Sequence, residues 1–468
     1  MRPSRAFFRH PGRARHKALG LAILFLWGGA VLRERNTARV VEEPLVGDIV
    51  LIVTDDQPWH TLQFMPNTNA LIGDAGVRFS NAFASTPLCC PSRASILTGL
   101  YTHNHGVKSN ASPSGGARLF QDASTLATWL KAAGYRTALL GKYLNEYNRL
   151  TPWPYIPPGW DEWQAFVFTK YYDYTLVENG IEVRYGRAPE EYSTDVLTKK
   201  AVRFIESAPS GQRLFLYYAP FAPHGDPVPA PRHRGTMRTL QGWRPPSYNE
   251  ADVSDKPAWV RNLAALTLAG QDSTDRFYRK QVETLLAVDD GVADIVAALD
   301  RSGRLGNAAI VYTSDHGLAL GEHRYTRQKN CFYESCVRVP LLVRAPGAQP
   351  RVDPSLMLNV DLAPTIAQWA GVTLPAAVNG RSFAPLLSNP ESPWRDAALL
   401  EVLGGSSVPP RFQGVRTSRY AYAEYRNGER ELYDLQVDPD QTTNVHADPA
   451  YASTASTLHA RLAELKRE

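Results

Sequence analysis

Asp55 and Asp56 stand side by side after an apolar run, and Asp315 and His316 follow another. Adjacent carboxylates repel one another unless a cation or water lies between them. Three aspartates offer the hard oxygen ligands that calcium or magnesium takes, whereas the imidazole of His316 suits softer metals. A second segment reads Pro87-Leu-Cys-Cys-Pro-Ser-Arg-Ala-Ser-Ile-Leu-Thr-Gly99. Pro91 fits a first helical turn and Gly99 the position past the end, so Cys89 and Cys90 fall at a helix N-terminus. Free N–H groups and the helix dipole favour an anion there, and Arg93 adds a fixed positive charge one turn on. Taken singly, each residue has a plain structural alternative. An aspartate after a strand is often a turn or a helix cap. A lone histidine is more often hydrogen-bonded structure than a catalyst. A cysteine at a helix start is a small buried filler or a low-pKa thiolate.

The elements that would carry these residues argue for a shared place. Asp48–Val53 (DIVLIV) reads as a buried strand and runs into Asp55 and Asp56. Ala308–Tyr312 runs into Asp315 and His316, Thr137–Leu140 into Lys142, and Leu214–Tyr218 towards His224. Val339–Val343 reads as one more strand. Short apolar strands alternating with helical patterns predict an α/β fold with a mainly parallel sheet covered by helices. In such sheets ligands bind outside the carboxyl ends of the strands, so these groups converge if their strands are neighbours. Apolar positions at helical spacing predict a helix from about Asp275 to Asp300, stopped by Gly303. Residues 225–260, rich in Pro, Arg and Trp, read as a long surface excursion. Beyond about residue 385, short strands with polar turns (RYAYAEY, ERELYDL) predict a small C-terminal α+β unit.

Composition narrows the function classes. Hydrophobic residues make up 44% of the 468 and charged residues 21%, as in a globular enzyme rather than a disordered or multi-span membrane protein. Much of the net charge of +5 comes from Arg2, Arg5, Arg9, Arg13, Arg15 and Lys17, and the rest of the chain is close to neutral. A nucleic-acid partner therefore loses its electrostatic support. Those positives precede the apolar run Leu19–Leu32, which is shorter than the ~20 residues of a spanning helix. Residues 1–32 are read as an export signal peptide, or an uncleaved signal anchor that would tether the protein to a membrane. Of the four cysteines, Cys331 and Cys336 either bridge in an oxidising compartment or lie as two buried thiols. A redox role for the neighbours Cys89 and Cys90 is weak, because a disulfide between them is strained.

Cys89-Cys90-Pro91-Ser92-Arg93, with the Ala-Ser-Ile-Leu-Thr-Gly that follows, resembles the sulfatase signature C-x-P-S-R. The resemblance extends from about residue 46 to 445. Thr54-Asp55-Asp56 and Ser314-Asp315-His316-Gly317 are similar to the family's two metal-binding segments. Segments 141–148, 156–160 and 222–225, with Leu432-Tyr-Asp-Leu435 and 438–444, are similar to glucosamine-6-sulfatases. The resemblance implies an alkaline-phosphatase-like sandwich, with a catalytic domain over 46–385 and a C-terminal subdomain over 386–468.

For the chemistry, the resemblance implies that a formylglycine-generating enzyme oxidises Cys89 to formylglycine. The aldehyde hydrates to a diol, one hydroxyl attacks sulfur, and loss of the other's proton expels sulfate. It also implies a divalent metal, calcium in most relatives with magnesium as the second choice, held by Asp55, Asp56, Cys89, Asp315 and His316. Arg93, Lys142 and Lys329 are expected to neutralise the sulfate, and His224 to protonate the leaving oxygen, with Lys329 competing for that role. The pattern departs at Leu144, where many relatives carry His; Asn145 is next in line to replace it. His316 stands where many relatives carry Asn. The expected substrate is a sulfated sugar such as 6-sulfated glucosamine, acted on by an exported, secreted or surface-anchored enzyme. The alternatives are a phosphodiester or phosphonate monoester hydrolase on the same fold, and a non-catalytic sulfoglycan-binding protein with Cys89 unconverted.

Overall fold

The computed structural model describes residues 45–374, 377–405 and 408–468, together with the backbone of Arg39–Val40. The leader expected over residues 1–32 lies outside the described residues. No described helix is long and apolar enough to cross a membrane.

A ten-stranded sheet organises the chain. Its strands are β1 (Asp48–Thr54), β2 (Val77–Phe83), β3 (Arg136–Gly141), β4 (Glu162–Phe166), β5 (Tyr174–Glu178) and β6 (Ile181–Tyr185). They continue with β7 (Leu214–Ala219) and β8 (Ala308–Ser314); after a small hairpin, β9 (Ala319–Leu320) and β10 (Thr326–Gln328), come β11 (Leu341–Arg344) and β12 (Arg351–Leu358). The order across the sheet is β12-β2-β11-β8-β1-β7-β3-β4-β5-β6. The run β8-β1-β7-β3 is parallel throughout. These are the four strands whose carboxyl ends carry the candidate residues, and they are contiguous. Every residue of β1, β7 and β8 is buried, as expected of parallel strands covered on both faces.

Helices α1 (Cys89–Thr98), α2 (Leu126–Ala132), α3 (Ser193–Glu206) and α4 (Leu268–Arg301) supply the covers, followed by the short α5 (Glu334–Val337), α6 (Leu362–Trp369) and α7 (Ala452–Leu465). Alternation along β1 divides the core. Ile49, Leu51 and Val53 pack with α1, α2 and α6, whereas Val50 and Ile52 pack with α3 and α4. Two boundaries differ from the sequence reading. The helix predicted from Asp275 begins at Leu268, because the Thr267 side chain accepts the Gly270 N–H at 3.1 Å and caps polar turns that have no apolar period. The strand predicted from Val339 begins at Leu341, since Pro340 has no N–H to give a ladder.

The excursion after β7 contains only a short helix, Ala258–Arg261, before α4. Beyond it, β13 (Ala397–Val402), β14 (Phe412–Thr417), β15 (Tyr420–Tyr425) and β16 (Arg430–Asp434) form an antiparallel four-stranded sheet in sequential order. Leu399, Val415 and Tyr433 share one core with Phe83, Tyr101 and Tyr333, so this sheet buries its inner face on the larger one.

Candidate active site

Register assembles the acidic pair of segments. β1 and β8 pair in parallel with Thr54 opposite Ser314, so Asp55–Asp56 and Asp315–His316 leave the sheet together. Asp56 takes a left-handed backbone, φ 62°, which aspartate tolerates better than most residues. Its N–H donates to Asp315 Oδ1 at 3.0 Å. Lys142 leaves β3 beside them. The preceding Gly141 has φ 117°, and a Cβ there would lie 2.0 Å from the Ala219 carbonyl, so only glycine lets β3 and β7 end this close.

Cys89 opens α1, as its sequence predicts, and Gly99 closes it with φ 72°. Arg93, one turn along, is fully buried. Its Nε donates to Asp315 Oδ2 at 2.9 Å and its Nη1 to the Lys142 carbonyl at 3.1 Å, while Nη2 has no hydrogen-bond partner within the chain. The Lys142 ammonium donates to both Asp55 oxygens, at 2.7 and 2.6 Å. Lys329 Nζ reaches Asp56 Oδ1 at 2.8 Å, Cys89 Sγ at 3.0 Å and His224 Nε2 at 3.3 Å. His316 Nε2 lies 3.1 Å from Asp56 Oδ1 and 3.4 Å from Cys89 Sγ. His224, the most exposed of these side chains at 28%, points Nε2 at Asp56 Oδ2 from 3.5 Å. All the site residues proposed from sequence therefore meet around one sulfur atom.

Other residues in this shell were not singled out from sequence. Asn359 donates to Ser92 Oγ at 2.9 Å and accepts the Ser85 N–H, and the Ser92 hydroxyl donates to the Asp315 carbonyl. Asn110 Oδ1 accepts the Cys90 N–H at 2.8 Å. Ser92 lay inside the recognised segment; Asn110 and Asn359 carry no local signal. Leu144 packs into the apolar core. The Oδ1 of Asn145 is buried without a hydrogen-bond partner in the chain. Cys331 and Cys336 form a disulfide, the bridged one of their two sequence readings.

Electrostatics separates the two neighbouring thiols. Burial pushes Cys90 up to about 12. Burial acts on Cys89 in the same direction, but Lys142, Lys329 and His316 outweigh it and hold that thiol well below its usual range. Burial raises Asp55 to about 6 against the pull of Lys142. For His316 burial opposes the charged form, and Asp315 and Asp56 reverse this, raising it to about 9. Cationic groups and a helix N-terminus directed at one point suit a tetrahedral anion.

The donor set also fits a hard divalent cation. Ligand atoms of Asp55, Asp56, Cys89 and His224 lie within 4.8 Å of one another, as do those of Cys89, Asp315 and His316. Three buried carboxylates supply oxygen ligands of the kind calcium and magnesium take.

Comparison with known proteins agrees with this arrangement. The family described as Sulfatase matches residues 48–372, and that described as N-sulphoglucosamine sulphohydrolase, C-terminal, matches 321–468. The chain is 33% identical over 470 residues to the N-acetylglucosamine-6-sulfatase of Homo sapiens, covering 91% of this chain and 85% of that one. It is 38% identical over 388 residues to the extracellular sulfatase SULF-1 homolog of Drosophila melanogaster, covering 80% of this chain. It spans about a third of that relative's length, 34%, and about half, 52%, of the matching Caenorhabditis elegans protein. Among solved structures, one described as in complex with its substrate D-glucosamine-2-N,6-O-disulfate superposes with a TM-score of 0.79 at 27% identity, covering 91% of this chain and 98% of that one. The phosphonate monoester hydrolase of Agrobacterium radiobacter shares the fold, with a TM-score of 0.71 at 21% identity, covering 91% and 96%. With its signature cysteine at the head of α1, between two aspartate-bearing strand ends, the chain belongs to the sulfatase family.

Proposed function

We propose that this protein hydrolyses sulfate esters, and that its substrate is a sulfated sugar such as 6-sulfated glucosamine. The observation that carries the reading is Cys89 at a helix N-terminus, with Lys329 Nζ at 3.0 Å and His316 Nε2 at 3.4 Å from its sulfur. Oxidised to formylglycine by a formylglycine-generating enzyme, residue 89 supplies a hydrated aldehyde as nucleophile, and a bound divalent cation, calcium or secondarily magnesium, supplies charge neutralisation. Asp55, Asp56, Asp315 and His316, with residue 89, are the groups to hold that cation.

The chain's own residues do the remaining work. Arg93 and Lys142, each fixed by a buried carboxylate, orient a sulfate and hold the negative charge that grows in the transition state. Lys329, with its Nζ 3.0 Å from the Cys89 sulfur, does the same. His224, the most exposed of these side chains at 28%, is the donor of a proton to the leaving alcohol. Burial opposes its charged form, and Asp56 and Asp55 more than offset this, so its pKa is raised. Lys329 Nζ, 3.3 Å away, is the competing donor. We assign residues 46–385 to catalysis and 386–468 to a C-terminal subdomain. Export fits the leader and the extracellular relatives, with secretion or surface anchoring as its two forms.

A mass spectrum of the tryptic peptide Phe79–Arg93 from protein made in its native host tests the nucleophile. The expected result is a mass lowered by the change from thiol to aldehyde at Cys89. An intact thiol there overturns the catalytic reading in favour of a sulfoglycan-binding protein. Comparing 6-sulfated N-acetylglucosamine, an aryl sulfate and a phosphate diester tests the substrate. Faster turnover of the diester would move the assignment to phosphodiester or phosphonate hydrolysis.

A further inference from the structure

Lys329 is held in place by very little regular structure. It follows β10, which joins β9 through only two paired positions with a register shift between them. Arg327 at φ 53° and Asn330 at φ 70°, on either side of it, are left-handed non-glycine residues, as are His323 and Arg324 in the same hairpin. Backbone of this kind persists only where its surroundings over-determine it. The strand that leads to Lys329 is tied to α4 by Thr326 Oγ1 to Thr274 Oγ1 at 3.1 Å and by Arg327 Nη2 donating to Ser273 Oγ at 2.6 Å. Near Lys329 the ties are the Tyr325 hydroxyl donating to the Lys329 carbonyl at 2.9 Å and the Asn330 N–H donating to the Pro87 carbonyl at 3.1 Å.

The next residue, Cys331, is bonded to Cys336 in α5, and both are fully buried. Cys336 is also tied to the segment after Asp315–His316, since its carbonyl accepts the Gly317 N–H at 2.8 Å. A Cβ on Gly317 would lie 2.3 Å from the Ser335 carbonyl, so the two segments are in direct backbone contact. The disulfide thus joins the arm that carries Lys329 to the block against which Asp315 and His316 rest. The cysteines are five positions apart; a loop that short removes little entropy from the unfolded chain. The bond's effect is therefore local.

We propose that the Cys331–Cys336 disulfide is a positioning device for the reaction, holding the Lys329 ammonium over residue 89 and Asp56. The inference rests on the proposed sulfatase activity for its kinetic part only. The test is a double-mutant cycle in the full chain: Cys331→Ala/Cys336→Ala, Lys329→Ala, and all three together. Formylglycine content and thermal midpoint are measured for each, so that loss of maturation or fold is seen directly. The cysteine pair is expected to lower kcat at least about tenfold while the midpoint moves by only a few degrees. In the Lys329→Ala background the same pair is expected to add less than about twofold, since coupled groups are not additive. Losses that multiply independently, or an unchanged kcat for the cysteine pair in an active protein, would overturn the inference.

A readout independent of turnover is modification of Lys329 by an amine-reactive reagent, followed by peptide mass spectrometry. Labelling is expected to be at least about tenfold faster in the cysteine variant than in the unsubstituted protein; equal rates would count against positioning even if the protein had no sulfatase activity. Where the alanine pair fails to fold, the same labelling is done on unsubstituted protein reduced by a dithiol. That step takes two electrons and two protons from the dithiol and leaves two thiols.

Discussion

Cys89 and Cys90 are chemically identical and adjacent, yet Lys142, Lys329 and His316 outweigh burial at the first, while burial dominates at the second. Cys89→Ala is expected to abolish turnover, whereas Cys90→Ala leaves kcat within about threefold, because the Cys90 side chain faces apolar core. Equal losses from the two, measured at equal formylglycine content at position 89 for Cys90→Ala, would refute that division. Arg93→Met leaves Asp315 short of a buried partner and is expected to destabilise the fold by about 3–5 kcal/mol, read by urea denaturation. Away from the site, His60 is stacked on Trp243 at 3.8 Å, and neither ring nitrogen has a partner in the chain. Burial lowers it from the ordinary 6.5 to about 3. The unfolded chain therefore binds a proton that the folded one refuses, and this contribution to stability is present above pH 6.5 and lost as pH falls towards about 3. His60→Phe is expected to remove a slope of ~1.4 kcal/mol per pH unit across that window. Denaturation series at several pH values check it, and unchanged slopes in both proteins would refute it.

At the scale of elements, the site depends on how closely strand ends approach. Gly141→Ala places a methyl group against the Ala219 carbonyl and forces a left-handed position on alanine. It is expected to cost at least ~2 kcal/mol and to displace Lys142, so kcat falls together with the denaturation midpoint. Thr267→Ala removes the α4 cap, at about 1 kcal/mol, and leaves kcat alone. The contrast between these two variants separates fold from chemistry. Elements were also the most legible level of the sequence. The apolar runs of β1, β3, β7 and β8 and the ionisable residues after them were readable because parallel strands buried on both faces carry continuous apolar sequence. The contiguity of those four strands was not readable, since sheet order arises from packing. Nor were Asn110 and Asn359, which act through bonds across 20 and 267 residues of chain. Capping extended α4 beyond its apolar period, and that depends on one hydroxyl and one N–H.

For the whole molecule, the C-terminal sheet shares its core with the large sheet and the segments beside it. Deleting residues 386–468 would expose Phe83, Tyr101 and Tyr333, which it helps bury. Such a truncation is expected to be insoluble, as judged by sedimentation of freshly expressed protein. A soluble, active fragment would show that the large sheet stands alone. The parallel pairing of β1 with β8 has a consequence in time. Asp56 and Asp315 are 259 residues apart in sequence, and Lys329 follows Cys89 by 240. Contacts of such separation form late, and a chain of this length folds through intermediates. At ~5–20 residues per second, the ribosome needs roughly tens of seconds to travel from Cys89 to Lys329. Until near the end of that interval β8, His316 and Lys329 are missing from the walls that close over the cysteine. In the finished fold the Cys89 side chain is buried, so the oxidising enzyme proposed above would find the residue most open during this delay in synthesis.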